Sequence, residues 1–144
     1  DAPSLDDVFA DATGRRLEPP QIEAMHARKT GALIRASVLF ACAAAPALAA
    51  AQRTALDRYG QAIGLSFQIV DDLLDVLGDP AVTGKGAGSD ALRGKPTYPA
   101  IAGVAAARAR ANELAQEGIE ALAGFGPAAG QLRDFAGQLV LRGH

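Results

Sequence analysis

The chain has 144 residues, enough for one compact domain with its own core. At 49% hydrophobic and 21% charged, with a formal net charge of -2, it has a globular composition and lacks the basic excess that holds nucleic acid electrostatically. A single cysteine, Cys42, excludes an internal disulfide framework; within an alanine-rich run it reads as a small buried hydrophobe, and a reducing, cytoplasmic setting fits.

The opening Asp1-Ala2-Pro3-Ser4-Leu5-Asp6-Asp7 is acidic and polar, unlike a signal peptide. No linker or repeat divides the chain, and strand signals are nearly absent, with aromatics at only 5%. Helical periodicity takes their place. Pro19-Pro20 predicts a helix start, followed by Ile22, Met25, Leu33, Ile34 and Leu39. Gly31 interrupts this segment, a position that a bend or a close approach would explain. The longest charge-free run lies between Arg35 and Arg53; it is mostly alanine, is broken by Pro46, and falls short of the ~20 strongly apolar residues of a membrane span. It reads as two buried helix ends and a turn.

From Gln52 to Leu77, the residues Leu56, Tyr59, Ile63, Phe67, Val70, Leu74 and Leu77 recur at steps of three and four, one apolar stripe along a long helix. Gly78-Asp79-Pro80 predicts its end, and a polar, glycine-rich loop follows to about Pro96. A third helix is expected from Thr97-Tyr98-Pro99 to about Ala123, and Gly124-Phe125-Gly126-Pro127 breaks it. A last amphipathic helix carries Leu132, Phe135, Leu139 and Val140. The fold class is all-α, an antiparallel helical bundle. Arg108, Arg110, Glu113 and Glu117 read as a solvated face, and His26 and His144 show no chemistry.

Gln68, Asp71, Asp72 and Asp75 sit beside the stripe, and helical geometry brings them toward one patch. Carboxylates this close repel, which a hard divalent cation relieves; oxygen-only ligation favours Mg2+ over zinc. A solvated acidic face is the alternative. The loop beyond carries Lys85 among Gly84, Gly86 and Gly88, and Lys95 after Gly94. It suits a phosphate or is an ordinary surface loop. It is not a Walker A loop, since no Ser or Thr follows Lys85 and it leaves a helix rather than a strand. Of fourteen basic residues only Lys29, Lys85 and Lys95 are lysine, leaving eleven arginines.

Taken together, Phe67-Gln68-Ile69-Val70-Asp71-Asp72-Leu73-Leu74-Asp75, Gly78-Asp79, Thr83-Gly84-Lys85, Asp90 and Gly94-Lys95-Pro96-Thr97-Tyr98-Pro99 resemble the second half of trans-isoprenyl (polyprenyl) diphosphate synthases. Upstream, His26-Ala27-Arg28-Lys29-Thr30-Gly31-Ala32-Leu33 resembles that family's Lys-Thr segment, closest to bacterial farnesyl or geranylgeranyl diphosphate synthases. The resemblance implies part of the isoprenoid synthase fold, with residues 1–144 as a single partial domain. It implies prenyl transfer, the head-to-tail condensation of an allylic diphosphate with isopentenyl diphosphate, assisted by Mg2+. It assigns Asp71, Asp72 and Asp75 to the metal, Asp71 directly and the other two mainly through water or neighbouring groups. Lys29, Lys85 and Lys95 would bind diphosphate, and Thr30 and Gln68 would lie along the allylic chain.

The family's first aspartate-rich motif does not occur in these 144 residues, and Asp6-Asp7 is no substitute. The expectation is therefore a half-site, inactive alone, from a parent that forms a homodimer. A non-catalytic helical subunit or remnant that pairs with a full-length synthase is the competing reading. A terpene cyclase is disfavoured, because its later-helix metal pattern mixes Asn, Ser and Glu.

Overall fold

The structure is a computed structural model that describes residues 17–77 and 96–142. Among the described residues every regular element is helical: α1 (Pro19–Arg28), α2 (Thr30–Ala43), α3 (Ala50–Leu77), α4 (Tyr98–Ala102), α5 (Val104–Ala121) and α6 (Gly130–Leu141), with a 3-10 segment, Ala123–Ala129, before α6. The expected all-α class holds.

Helix starts follow local chemistry. Proline at the first positions of α1 suits a turn whose amides have no partner. The Gln21 side chain accepts the Glu18 N–H at 2.8 Å, and Gln52 accepts the Ala49 N–H at 2.9 Å where α3 begins. The helix ends use arginine. Arg53 donates from Nη1 to the Cys42 carbonyl (2.6 Å), from Nη2 to Ala45 (3.0 Å) and from Nε to Leu48 (3.3 Å), gathering the open carbonyls between α2 and α3. Arg133 does the same beyond α5, with Nη1 on the Gly126 carbonyl (2.7 Å) and Nη2 on Leu122 (2.6 Å).

Helix α3, 28 residues long, is the spine. The expected stripe is partly buried through Tyr59, Ile63 and Val70, while Leu77 at its end is 49% exposed. A second face, with Leu65, Ile69 and Leu73, is also buried. One stripe therefore understates the helix: α2 and α5 pack against different sides of it, and α1, α4 and α6 also touch it.

Both flanking helices run antiparallel to α3. Gly31 of α2 meets Gly64, while Arg35 and Val38 meet Gly60. On α5, the Ala111 carbonyl accepts the Ser66 hydroxyl at 3.0 Å, and Gly118 abuts Ile63 and Tyr59. Small residues set the spacing. A Cβ on Gly64 would lie 2.9 Å from the Gly31 Cα, so the close approach anticipated at Gly31 is real. On α5 the seam is Ala107, Ala111, Ala115 and Gly118, all buried. The Tyr59 hydroxyl donates to the Leu132 carbonyl at 2.8 Å and joins α3 to α6.

Two expectations change. The helix expected from Thr97 is interrupted at Gly103, where φ is 89°, so α4 and α5 are separate. The alanine-rich run does form a turn and Cys42 is buried, but the end of α2 is not: Phe40 is 80% and Leu39 37% exposed, because no described element covers that side.

Replacing Gly64 with alanine forces backbone against backbone and is expected to cost about 1–3 kcal/mol. The same change at Gly137 of α6, which meets no atom within 4 Å, is expected to stabilise by about 0.5–1 kcal/mol. Urea denaturation of both variants measures the contrast. Burial pushes the Tyr59 hydroxyl up to about 12. A raised phenol pKa leaves stability complete below about pH 10 and removes it as pH rises towards 12, because only the unfolded chain ionises in that window. Tyr59→Phe is expected to flatten that alkaline loss in pH-dependent melting.

Candidate functional site

The end of α1, Lys29, the start of α2, the last third of α3 and the approach to α4 meet around a cleft of ≈ 230 Å3. Met25, His26, Lys29, Thr30, Gln68, Asp71, Asp72, Pro96 and Thr97 border it. Lys29 and Thr30, about forty positions before Gln68 and Asp71, come beside them because the Gly31–Gly64 contact registers α2 on α3. Five of the residues singled out in the sequence therefore converge: Lys29, Thr30, Gln68, Asp71 and Asp72. Lys85 and Lys95 lie outside the described residues, as does the glycine-rich loop up to Lys95; Pro96, the next residue, borders the cleft.

The three aspartates differ in exposure. Asp71 is exposed, Asp72 is 7% and Asp75 8% exposed, and Asp75 does not border the cleft. Consecutive helical residues diverge by about 100°, so Asp71 and Asp72 meet different neighbours. Among the described residues no group of three His, Cys, Asp or Glu side chains is placed to hold a metal ion.

Asp72 is committed elsewhere. Its Oδ2 lies 2.9 Å from Nε2 of His26 and accepts the backbone N–H of Tyr98 at 2.8 Å. An ionised carboxylate only accepts, so Nε2 carries the proton and donates. Among the described residues, Nδ1 of His26 is then left buried without a partner, as is Oγ1 of Thr97, a residue 1% exposed. Unpaired buried polar atoms cost about 1–3 kcal/mol each, and both belong to residues at this cleft. His26 was missed in the sequence. Its signal was spacing: it follows Ile22 by four residues, which puts a polar ring on the buried face of α1, where it needs a partner.

A second network braces the approach to α4. The Tyr98 hydroxyl donates to Glu23 Oε1 (3.1 Å), which also accepts Arg110 Nε (2.9 Å). Arg110 Nη1 reaches Glu117 (3.2 Å) and Glu113 (3.3 Å). Burial, and then the Glu23 charge, raise the Tyr98 pKa; hydrogen bonding to Glu23 chiefly raises that of Arg110. The face read as solvated thus contains a half-buried arginine tying α5 to α1.

Magnesium is the cation that the resemblance implies. One open carboxylate, Asp71, with an ammonium, a hydroxyl and an amide nearby does not make a protein cage. It does fit a hard cation whose other ligands are phosphate oxygens and water. The orphaned Thr97 hydroxyl is consistent with a polar occupant. A larger cavity of ≈ 710 Å3, lined in part by Gly31, Arg35, Arg58, Leu65 and Glu117, has no such orphaned atom among the described residues at its wall. No helix among the described residues is long and apolar enough to cross a membrane.

The adjacent aspartates should separate in stability. Asp72→Ala strands two buried N–H donors and is expected to cost about 2–4 kcal/mol. Asp71→Asn, at an exposed carboxylate, is expected to stay within about 0.5 kcal/mol; urea denaturation checks both.

Comparison with known proteins places residues 5–123 in the family described as polyprenyl synthetase. A farnesyl diphosphate synthase of Escherichia coli (strain K12) is 42% identical over 112 residues, covering 78% of this chain and 38% of that protein. One from Haemophilus influenzae (strain ATCC 51907 / DSM 11121 / KW20 / Rd) is 35% identical over 109 residues, covering 75% of this chain and 37% of the relative. A solved structure from Marinomonas sp. MED121, provisionally named a farnesyl-diphosphate synthase, superposes with a TM-score of 0.68 at 32% identity, over 86% of this chain and 40% of that one. The chain therefore spans about two fifths of the length of the relatives it matches.

Proposed function

Since the chain belongs to the polyprenyl synthetase family, we propose that it serves prenyl transfer, the head-to-tail condensation of an allylic diphosphate with isopentenyl diphosphate, as the half that carries the second aspartate-rich diphosphate site. The observation supporting this reading is the convergence of Lys29, Thr30, Gln68 and Asp71 on one cleft from two distant stretches of sequence.

Each side chain has a role that its chemistry suits. Asp71 supplies the open carboxylate that would hold Mg2+, with Asp72 and Asp75 acting through water or neighbouring groups. Bound there, the cation would neutralise charge on the departing diphosphate. The Lys29 ammonium, a compact point charge, pairs with diphosphate oxygens and stabilises the negative charge that grows as the carbon–oxygen bond breaks. Lys85 and Lys95 are proposed for the same task. The Thr30 hydroxyl and the Gln68 amide present oxygen dipoles to the allylic carbon as it becomes positive. The double bond of isopentenyl diphosphate then forms the new carbon–carbon bond, and a proton leaves to restore the alkene.

The 144 residues hold one aspartate-rich motif, so the chain alone is expected to bind Mg2+-pyrophosphate without turning over the two prenyl substrates. In calorimetric titration, Asp71→Asn and Lys29→Met are each expected to weaken that binding about tenfold, a change of about 1.4 kcal/mol. Unchanged binding in both variants would remove the assignment, and turnover by the chain alone would remove the half-site reading.

A non-catalytic subunit that pairs with a full-length synthase is the second reading. Its support is the apolar outer side of α2, where Leu33 is 68% and Phe40 80% exposed. Stoichiometric co-purification with a longer synthase that keeps its own activity would favour it.

A further inference from the structure

We propose that His26 is a positioning residue of the metal–diphosphate half-site, holding Asp72 so that Asp71 alone addresses the cation. This rests on the reading of Asp71 given above.

One oxygen, Oδ2 of Asp72, takes hydrogen bonds from α1 through His26 and from α4 through the Tyr98 N–H, while Asp72 itself belongs to α3. His26 is 5% and Asp72 7% exposed, so water does not compete for these bonds. The clamp has two consequences for the cleft. It fixes the turn of α3 that carries Asp71, because rotating that turn would break both bonds. It also anchors Thr97, the residue before Tyr98, and with it the cleft wall formed by Pro96 and Thr97. Two donors on Asp72 further screen its charge from Asp71, one residue away, and keep it from swinging out to bind the cation itself. Without the imidazole N–H, the buried carboxylate keeps a single donor, and the turn of α3 that carries Asp71 loses its tie to α1.

The experiment uses the 144-residue chain with Mn2+ as a paramagnetic stand-in for Mg2+ and inorganic pyrophosphate as the ligand. Wild type, His26→Leu and His26→Gln are titrated by electron paramagnetic resonance, with circular dichroism reporting the fold. Removing the donor in His26→Leu is expected to weaken Mn2+ binding by about tenfold or more. Glutamine, which presents an N–H at similar reach, is expected to restore binding to within about threefold of wild type. A purely structural histidine would lower the melting temperature of both variants and leave the Mn2+ affinity of the folded chain unchanged; that result overturns the proposal. If His26→Leu does not fold, 15N NMR of the wild-type imidazole decides. A neutral ring protonated on Nε2, with resonances that move when Mg2+ and pyrophosphate are added, supports the clamp, and a ring protonated on Nδ1 overturns it. Absence of Mn2+ binding by wild type would remove the half-site itself, whereas equal binding by wild type and His26→Leu removes only the role of His26.

Discussion

The cleft depends on how closely α2 can approach α3. At Gly31 and Gly64 no side chain separates the two backbones, and a single added Cβ would stand 2.9 Å from the opposing Cα. That contact lies immediately after Thr30 and one turn before Gln68. It therefore registers Lys29 and Thr30 against Gln68 and Asp71, and a larger residue at either glycine would push the ammonium and the carboxylate apart. On the other side of α3, the alanines of α5 and Gly118 let that helix close in as well. The spine is held between two seams of small residues, and the polar groups sit where the α2 seam ends.

Charge is distributed by shape as much as by sign. Arg53 and Arg133 each spread a planar fork over neighbouring carbonyls to close a turn, and Arg110 bridges Glu23, Glu113 and Glu117. Arg35 pairs with Asp57 through both of its oxygens and lowers the pKa of that carboxyl. These tasks need several donors in one plane, which lysine cannot offer. The described lysine, Lys29, stands instead at the cleft.

The adjacent aspartates of the motif have different surroundings. Asp71 opens to the cleft, whereas Asp72 binds α1 and α4 to α3. A buried carboxylate is tolerable only when donors satisfy it, and His26 and the Tyr98 amide do so. This arrangement explains why a histidine without evident chemistry sits three residues before Lys29. It also joins the site to the core, since the same histidine packs beside Ile22 on the inner face of α1.

The sequence by itself determined the helical class, the start of α1, the long periodic helix α3, the turn within the alanine-rich run, and the motifs that carry the family resemblance. These are local properties: proline at a helix start, a 3.6-residue period, a proline inside an alanine-rich run, and Asp-Asp-x-x-Asp in an apolar setting. Only the tertiary structure decided that α3 is buried on two faces, that Gly103 separates α4 from α5, that Arg110 joins α5 to α1, and that Asp72 belongs to His26 and Tyr98. Each of these depends on partners 26 to 87 positions away in the chain or on a backbone angle that no periodicity encodes. A helical pattern states which residues share a face, whereas the packing of other helices against that face determines whether a carboxylate meets water, a cation or a buried donor.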